Sequence, residues 1–482
     1  MLEYMKETAN RTFTENGAVT PRSTGSDVLN LFATIGALRS QNEAEIEKRF
    51  LRSFAENGEL TMKMLFYARD VRGGLGERRV FRVLLRYLAE NSPACLARNL
   101  RLVPEYGRWD DLLLLLYTPL HALTVSLLKE QFEADLAALK GDGEVSLLGK
   151  WLPSVNASNG DVVRTAKLLA KEFGMCEAEY RKALSALRAR IRILENYLRE
   201  SDYSFDYSRQ PSRAMFKYRK AFLRNDGERY CEFMNKVSTG EATLHTGGLM
   251  PYDIVQSAYR ATQEERPALN ATWTALEDFT KDDNALVVAD GSGSMYSGSP
   301  MAAAVAQSLA IYFAEHNHGA FHNHFITFSN TPQLVEIKGS DIVEKVLYCR
   351  SFNEVAGTNI QKVYELILQT ALRHHLPQSE LPSTLYIISD MEFNYCTRDA
   401  SLSNFEYAKN LYASHGYRLP AIVFWNVQSR REQQPVTMNE QGVALVSGFS
   451  PRIFSQVISG DTDPHTYMLN VLLSERYAPI TA

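Results

Sequence analysis

Five oxygen-bearing side chains occur in an order that suits a metal ion. The segment Asp290-Gly-Ser-Gly-Ser places Asp290, Ser292 and Ser294 directly after an apolar run. Thr358 lies in an Ala-Gly-Thr-Asn-Ile turn, and Asp390 follows a second apolar run. Hard divalent cations prefer such oxygen ligands in a near-octahedral arrangement that water completes. The spacing therefore predicts a binding site for Mg²⁺, with Mn²⁺ as the alternative metal.

The two apolar runs must position this site. Two strands that both end in an acidic residue indicate neighbouring parallel strands whose carboxyl ends face one crevice. By itself, the Asp-Gly-Ser-Gly-Ser segment is equally typical of a turn in which the aspartate caps the backbone. The complete order of strand, segment, helix, Gly-Thr turn and second strand favours the metal site. Glu392 lies two residues after Asp390, and we expect it either to support the ligands from behind or to cap a turn.

The five predicted ligands resemble the metal-ion-dependent adhesion site of von Willebrand factor A domains, and the resemblance covers about residues 284–458. It implies an α/β fold in which one coordination position stays open for an outside ligand. A carboxylate from a protein partner, or a phosphate oxygen, would complete the shell.

Binding is favoured over catalysis at this site. The sequence near the five ligands offers no pair of nucleophile and base, and too few carboxylates for two-metal hydrolysis. A phosphoester hydrolase is the weakest hypothesis, because only Glu392 and His415 would support it. We therefore expect a protein that is not an enzyme.

Strand and helix patterns alternate after residue 280. The predicted strands are 286–290, 324–328, 334–337, 385–390, 421–426 and 443–446, and the predicted helices are 301–316, 341–350, 360–374, 404–415 and 463–477. This alternation predicts a doubly wound, mostly parallel α/β sheet of the Rossmann-like kind for residues 280–482. Four histidines, His316, His318, His322 and His324, crowd one turn and suggest zinc, although a polar surface loop is the preferred interpretation.

The first 275 residues show helical spacing and almost no strand alternation. The predicted helices are 28–38, 59–70, 77–90, 110–116, 122–139, 162–173, 177–200, 213–222, 227–236 and 251–261. Such a series of short helices fits an α-solenoid of HEAT-like helical repeats, although no clean sequence period is visible. The chain is thus predicted to have two domains, 1–275 and 280–482.

Basic residues concentrate in two parts of the helical region. The window 181–224 holds 12 basic and 4 acidic residues, and the loop 69–79 combines arginines with three glycines. The candidate contacts to nucleic acid are Arg72, Arg78, Arg79, Arg181, Lys182, Arg188, Arg190 and Arg192. Clustered cations of this kind bind phosphates. The alternatives are a solvated helix face for the window and a close-packed helix connection for the loop.

Three segments carry a second resemblance. The loop 69–79, Lys150-Trp-Leu-Pro-Ser-Val-Asn156 and the stretch 180–188, taken with the metal segment, resemble the Ro autoantigen (TROVE) group. They resemble still more closely an uncharacterised bacterial and phage family with the same two-part layout. In Ro proteins, a ring of helical repeats carries a von Willebrand factor A domain and binds misfolded or small non-coding RNA.

The resemblance implies a non-catalytic RNA-binding scaffold. Its helical domain would bind small or misfolded RNA, and its metal site would dock a protein or another anionic ligand. The alternative is a metal-dependent protein-interaction module that does not bind nucleic acid. The sequence leaves open whether the helical domain closes into a ring and what the oligomeric state is.

Composition is typical of an ordered globular protein, with 22% charged and 45% hydrophobic residues. No apolar run approaches the length that crosses a bilayer, and the first residues lack the apolar core of a secretory signal. Five cysteines without C-x-x-C spacing favour free thiols in a reducing compartment. We therefore expect a cytoplasmic protein without a membrane partner.

Overall fold

The computed structural model describes residues 1–141, 143–280, 284–352, 357–394, 402–457 and 463–482. A helix-rich first half is followed by an α/β half built on a six-stranded sheet. The change in architecture falls between the helix Arg266–Thr274 and the strand Ala285–Asp290, the region in which the sequence predicts the domain boundary.

The helices of the first half are α1 Leu2–Asn10, α2 Asp27–Phe32, α3 Glu43–Glu56, α4 Gly58–Arg69, α5 Arg79–Asn91, α6 Pro93–Asn99, α7 Val103–Tyr106, α8 Trp109–Leu112, α9 His121–Lys140, α10 Leu148–Trp151, α11 Gly160–Glu172, α12 Glu177–Ile191, α13 Leu194–Arg199, α14 Ser212–Asn225, α15 Gly227–Ser238, α16 Pro251–Ala258 and α17 Arg266–Thr274. A small antiparallel hairpin, β1 Arg11–Phe13 and β2 Val19–Pro21, follows α1.

The second half contains the strands β3 Ala285–Asp290, β4 His324–Phe328, β5 Leu334–Glu336, β6 Thr384–Ser389, β7 Ala421–Asn426 and β8 Val443–Ser447. Its helices are α18 Ala302–His316, α19 Ile342–Arg350, α20 Ile360–His374, α21 Asn404–Ser414, α22 Ile453–Gln456 and α23 Pro464–Leu472. The six strands agree with the predicted ones to within one residue at each end, because each is a short apolar run bounded by turn residues.

Several helix predictions for the first half were wrong: α1, α6, α7, α10 and α17 were not predicted, and three further differences have a visible local cause. The helix α3 was missed, although Asn42 caps it by accepting a hydrogen bond from the backbone N–H of Glu45 at 2.9 Å. The single helix predicted over 177–200 is two helices, because the backbone of Arg192 adopts a left-handed conformation with φ of 52° between them. The helix predicted to begin at Glu77 begins at Arg79, and the Glu77 carboxylate accepts a hydrogen bond from the Arg79 backbone N–H at 2.8 Å.

The sheet has the strand order β5-β4-β3-β6-β7-β8, and all neighbouring pairs are parallel except β4 with β5. The chain moves from β3 outward to β4 and then returns to form β6 on the other side of β3. The connections after β3 and β6 therefore diverge and leave a crevice at the carboxyl ends of these two strands, as is usual at the switch point of such a sheet.

Helices cover both faces of the sheet. The inner helix α18 is buried on all sides from Ala302 to Ala314, since it lies between β3 and the helices α16 and α19. Its many alanines permit this close packing, and a helix that is apolar all round is typical of such a position. The opposite face packs against α20 and α21.

Hydrogen bonds and close packing join the helical half to the last strand and to the C-terminal residues. The backbone N–H of Gly36 donates to Ser447 Oγ at 3.0 Å, and a Cβ at Gly36 would lie only 2.6 Å from the Ser447 carbonyl oxygen. The buried Lys63 ammonium donates to the carbonyl oxygens of Tyr477 and Ile480 at 3.0 and 3.1 Å. One continuous apolar core accordingly runs from the helical half to one face of the sheet.

Candidate functional site

The two predicted aspartate ligands lie at adjacent strand ends. Asp290 is the last residue of β3, and Asp390 directly follows β6, which pairs in parallel with β3 so that Ala289 lies opposite Ile388. The hydroxyl of Ser389 donates to Asp290 Oδ2 at 2.6 Å. Both carboxylates are buried, each residue being 2% exposed. The structure thus brings together two residues that are 100 positions apart in the sequence.

The two serines after β3 have neighbouring hydroxyl groups. The backbone N–H of Ser292 donates to Asp290 Oδ1 at 2.9 Å, which fixes the start of the turn. The hydroxyl oxygens of Ser292 and Ser294 lie 3.1 Å apart. Two adjacent ligands of an octahedral Mg²⁺, with bonds of about 2.1 Å, would be separated by about 3 Å. The serine geometry therefore fits two ligands of one ion.

Thr358 reaches the same edge through the loop that follows Asp390. It is 1% exposed, and its hydroxyl donates to the carbonyl oxygen of Glu392 at 2.9 Å. The backbone N–H of Asn394 donates in turn to the Thr358 carbonyl oxygen at 2.9 Å. Thr358 is held against the loop that begins at Asp390, 32 positions further along the chain.

The electrostatics of the site favour a cation. Burial and the neighbouring Asp390 carboxylate together raise the pKa of Asp290 well above its usual range, although hydrogen bonds from Ser389 and Ser292 oppose this. Arg430 compensates part of the charge by donating from Nη2 to Asp390 Oδ2 at 3.0 Å. A divalent ion would compensate the rest, because it stabilises two nearby carboxylates in their charged form. The donor set thus fits Mg²⁺.

Glu392 contacts the predicted ligand Thr358 through its backbone carbonyl oxygen. Its carboxylate is 1% exposed and accepts hydrogen bonds from the Glu15 backbone N–H at 2.6 Å and from Gln433 Nε2 at 2.8 Å. Its carbonyl oxygen is the one that accepts the Thr358 hydroxyl. His415 follows α21 and precedes β7, so it lies towards the amino ends of the strands, opposite to the edge that holds Asp390.

The histidine-rich turn adopts the polar-loop arrangement. Nδ1 of His316, His322 and His324 lies 2.6–2.7 Å from a backbone carbonyl oxygen in each case. Within the described ranges, no group of three or more His, Cys, Asp or Glu side chains is arranged to hold a metal ion. A Mg²⁺ at the strand ends would therefore depend on the serine and threonine hydroxyls as well as the two aspartates.

The helical half surrounds a basic cavity of about 1200 Å³. Its wall carries ten basic side chains, Arg39, Arg69, Arg78, Arg108, Lys150, Arg188, Arg192, Arg199, Arg213 and Lys217. Only two acidic side chains, Glu195 and Glu200, join them there. Arg39 and Tyr252, from opposite ends of the helical half, both line the cavity, so the helices curve back towards each other.

Three of the eight predicted nucleic-acid contacts lie on the cavity wall, and five do not. The three are Arg78, Arg188 and Arg192. The five are Arg72, Arg79, Arg181, Lys182 and Arg190. Arg79 has a structural role, because it donates to the carbonyl oxygens of Arg39 and Gln41 at 2.8 and 2.7 Å. Arg181, Lys182 and Arg190 are exposed on α12.

Fixed contacts hold several of the cavity arginines. Arg188 donates from Nε to the Gly149 carbonyl oxygen at 2.9 Å and from Nη2 to the Leu152 carbonyl oxygen at 2.8 Å, which ties α12 to α10. Burial lowers the pKa of Arg78 and the nearby positive charge of Arg108 lowers it further, whereas Asp110 and Asp111 oppose this shift. Arg78 and Arg108 both pair with Asp110, at 2.7 and 2.8 Å.

Trp151 is a cavity residue that the charge pattern did not reveal. The guanidinium carbon of Arg108 lies 3.9 Å from the centre of its ring, and Lys150 Nζ lies 5.5 Å from it. An aromatic face among cations is a stacking platform for nucleic-acid bases. The segment 150–156, quoted above for the resemblance to Ro proteins, was the available signal, although it does not specify the role of Trp151.

Comparison with known proteins agrees with this two-part layout. Residues 14–122 and 161–285 match the model of a domain of unknown function, DUF2828, and residues 284–466 match that of a second, DUF7788. Uncharacterized protein L728 of Acanthamoeba polyphaga mimivirus is 28% identical over 506 residues, which span 96% of this chain and 87% of the viral protein. In the part of the chain that the structure describes, no helix combines the length and the apolar character needed to cross a bilayer.

Proposed function

We propose that this protein is a non-catalytic RNA-binding scaffold of the Ro-like kind. In this proposal the helical half is a HEAT-like array that binds RNA in its basic cavity, and the second half is a von Willebrand factor A-like domain. The observation that carries the proposal is the cavity wall, which holds ten basic and two acidic side chains. Five of the ten basic side chains also pair with acidic residues that do not line the cavity. RNA is the polyanion that also exploits an aromatic platform such as Trp151.

The distribution of the cations supports binding of a flexible, single-stranded segment. Arg192 lies in the turn before α13, Arg199 on α13 and Lys217 on α14, and all three line the cavity with exposed side chains. Cations that surround a cavity can follow a bending phosphate backbone, and a base can then stack on the ring that Arg108 already covers on one side.

The strand-end crevice would hold the second ligand. Asp290, Ser292, Ser294, Thr358 and Asp390 are the residues that would bind Mg²⁺, or Mn²⁺ in its place. The ion would supply a positive charge that attracts one anionic oxygen from outside, such as the carboxylate of a protein ligand. The protein's own residues orient that site by holding both aspartates in fixed, hydrogen-bonded positions.

RNA binding in the cavity is tested with two charge-reversal variants of the same helical region, one inside the cavity and one outside it. In the cavity variant, Arg192, Arg199 and Lys217 are all changed to Glu. In the control variant, Arg181, Lys182 and Arg224, which are exposed outside the cavity, are changed to Glu. Binding of a fluorescent 20-nucleotide single-stranded RNA is measured by anisotropy over a range of salt concentrations.

We expect the cavity variant to bind at least about tenfold more weakly than the wild type. The plot of log affinity against log salt concentration should become less steep by about 2, since each of the three lost phosphate contacts on a single strand contributes about 0.7. The control variant should keep most of the affinity. Equal losses in both variants would point to non-specific attraction, and no loss in either would refute RNA binding in the cavity.

The second candidate is a metal-dependent protein-interaction module without an RNA ligand. The converging ligands at the ends of β3 and β6 favour it, because they need no nucleic acid to act. Capture of partners on the purified protein separates the two candidates. Partners that survive nuclease but are lost with a chelator, or with Asp290→Ala, would support this second candidate.

A further inference from the structure

Residues 14–17, which follow β1, lie against residues 392–394, the loop that follows the candidate metal ligand Asp390. The hydroxyl of Thr14 donates to the Phe393 carbonyl oxygen at 2.5 Å, and the side-chain amide of Asn16 donates to the Glu392 carbonyl oxygen at 2.5 Å. Gly17 forms an isolated antiparallel bridge with Asn394. The loop that follows Asp390 is therefore covered by the turn of the hairpin that joins β1 and β2.

Glu15 is the residue of this segment whose side chain turns towards the site. Its backbone N–H is anchored on the Glu392 carboxylate, while its own carboxylate pairs with Arg430 Nη1 at 2.8 Å. The second amino group of the same guanidinium, Nη2, donates to Asp390 Oδ2 at 3.0 Å. Arg430 thus bridges a buried aspartate of the metal site and an exposed glutamate, whose side chain is 44% exposed.

The two ends of this bridge differ in how firmly they are held. Asp390 is fully buried at the end of β6, and its other oxygen, Oδ1, accepts the Glu392 backbone N–H at 3.2 Å. Glu15 meets solvent, and an exposed ion pair contributes little to stability and exchanges readily. The guanidinium should therefore stay with Asp390 and release Glu15, which leaves Nη1 free for a different carboxylate.

We propose that Glu15 is an internal competitor for an acidic side chain of a protein partner. The partner's glutamate or aspartate replaces Glu15 on Arg430 and so reaches the crevice beside Asp390. This inference rests on the proposed role of the metal edge in docking an anionic group, and it adds Arg430 as the residue that recognises the carboxylate. Arginine suits this task because its planar fork binds two oxygen acceptors at once.

The test uses a synthetic peptide, acetyl-Gly-Gly-Glu-Gly-Gly-amide, and a twin in which glutamine replaces the glutamate. Binding to the full-length protein in excess Mg²⁺ is followed by saturation-transfer NMR. The variants are Glu15→Gln and Arg430→Gln. Their matched controls are Glu7→Gln, an exposed glutamate in α1, and Arg431→Gln, an exposed arginine next in sequence.

Removing the internal competitor should strengthen binding of the glutamate peptide by about fivefold, the effect expected for loss of one exposed ion pair. Arg430→Gln should abolish that binding, and both controls should behave like the wild type. The glutamine peptide should bind weakly to every variant. Equal affinity of the wild type and Glu15→Gln, or unchanged binding to Arg430→Gln, would overturn the proposal.

The RNA titration described above, repeated on the same variants, separates this inference from the proposed function. Glu15→Gln and Arg430→Gln should bind RNA as the wild type does, because both residues lie outside the basic cavity. A wild-type protein that fails to bind RNA would refute the scaffold while leaving the peptide result intact. Peptide binding that shows no competition by Glu15 would overturn the inference alone.

Discussion

The hydroxyl of Ser389 donates a hydrogen bond of 2.6 Å to Asp290 Oδ2, and this contact joins the ends of two adjacent strands. The register of β3 and β6 places the pair, since Ala289 lies opposite Ile388. The contact holds one oxygen of a candidate metal ligand while the other oxygen accepts the Ser292 backbone N–H at 2.9 Å. The aspartate is consequently positioned before any ion binds.

Ser389→Ala should weaken Mn²⁺ binding by about tenfold, because groups that orient a metal ligand typically have effects of this size. Ser383→Ala is the matched control, since Ser383 immediately precedes β6 and its hydroxyl donates to the Asn284 carbonyl oxygen, away from the strand ends. Isothermal titration calorimetry with Mn²⁺ measures both. Similar affinities of the two variants would contradict the role given to Ser389.

Mg²⁺ should raise the melting temperature of the wild type. At a concentration 100 times its dissociation constant, an ion that binds only the folded protein adds about 2.7 kcal/mol. The melting temperature of Asp390→Asn should not rise with Mg²⁺.

In a chelator, Asp290→Asn should melt at a higher temperature than the wild type, because it removes one of two buried like charges. Differential scanning fluorimetry measures the melting temperatures of the wild type and both variants. A wild type whose melting temperature changes with neither Mg²⁺ nor Mn²⁺ would refute the metal site.

Trp151→Ala should reduce the affinity for single-stranded RNA by about tenfold, the usual loss when one stacking platform is removed. Tyr117→Ala provides a control, since Tyr117 is an aromatic residue that is 69% exposed and lies outside the cavity lining. Fluorescence anisotropy of a labelled RNA measures the change. If both variants bind equally well, bases do not stack on Trp151.

Asp70→Asn should lower the stability of the protein by about 2 kcal/mol, because Asp70 accepts charged hydrogen bonds from Arg476, including one of 2.8 Å from Nη2. Burial alone would raise the pKa of Asp70, but Arg476 and backbone N–H groups lower it below its ordinary value of 3.8. The charged form is therefore favoured by folding, and its contribution is present at neutral pH.

That contribution should disappear as the pH falls through the lowered pKa of Asp70, below about 3.8. Thermal melts between pH 7 and pH 3 should show the wild type approaching Asp70→Asn as the medium becomes more acidic. Asp161→Asn, at an exposed position in α11, should melt like the wild type throughout. A constant gap between the wild type and Asp70→Asn at all pH values would contradict this account.

Local patterns determined the elements of the α/β half. Runs such as Ala285–Ala289 are apolar throughout because both faces of their strands are buried, and this made the strands and their acidic ends visible in the sequence. The five candidate ligands could be named for the same reason, since each follows a strand or lies in a glycine turn. The helices of the first half were harder to predict from the sequence. For example, α3 was missed because its buried face includes the charged residue Arg49, which interrupts the apolar pattern.

What the sequence by itself determined is therefore the set of strands, the change from helices to an α/β half and the identity of the predicted metal ligands. Only the tertiary structure decided which arginines share one cavity, because Arg39, Arg108 and Arg213 come together through helix packing rather than spacing. It also decided that Glu15 lies beside Asp390, through Arg430. Periodicity reports burial along one element, whereas contacts between distant segments depend on how whole elements pack.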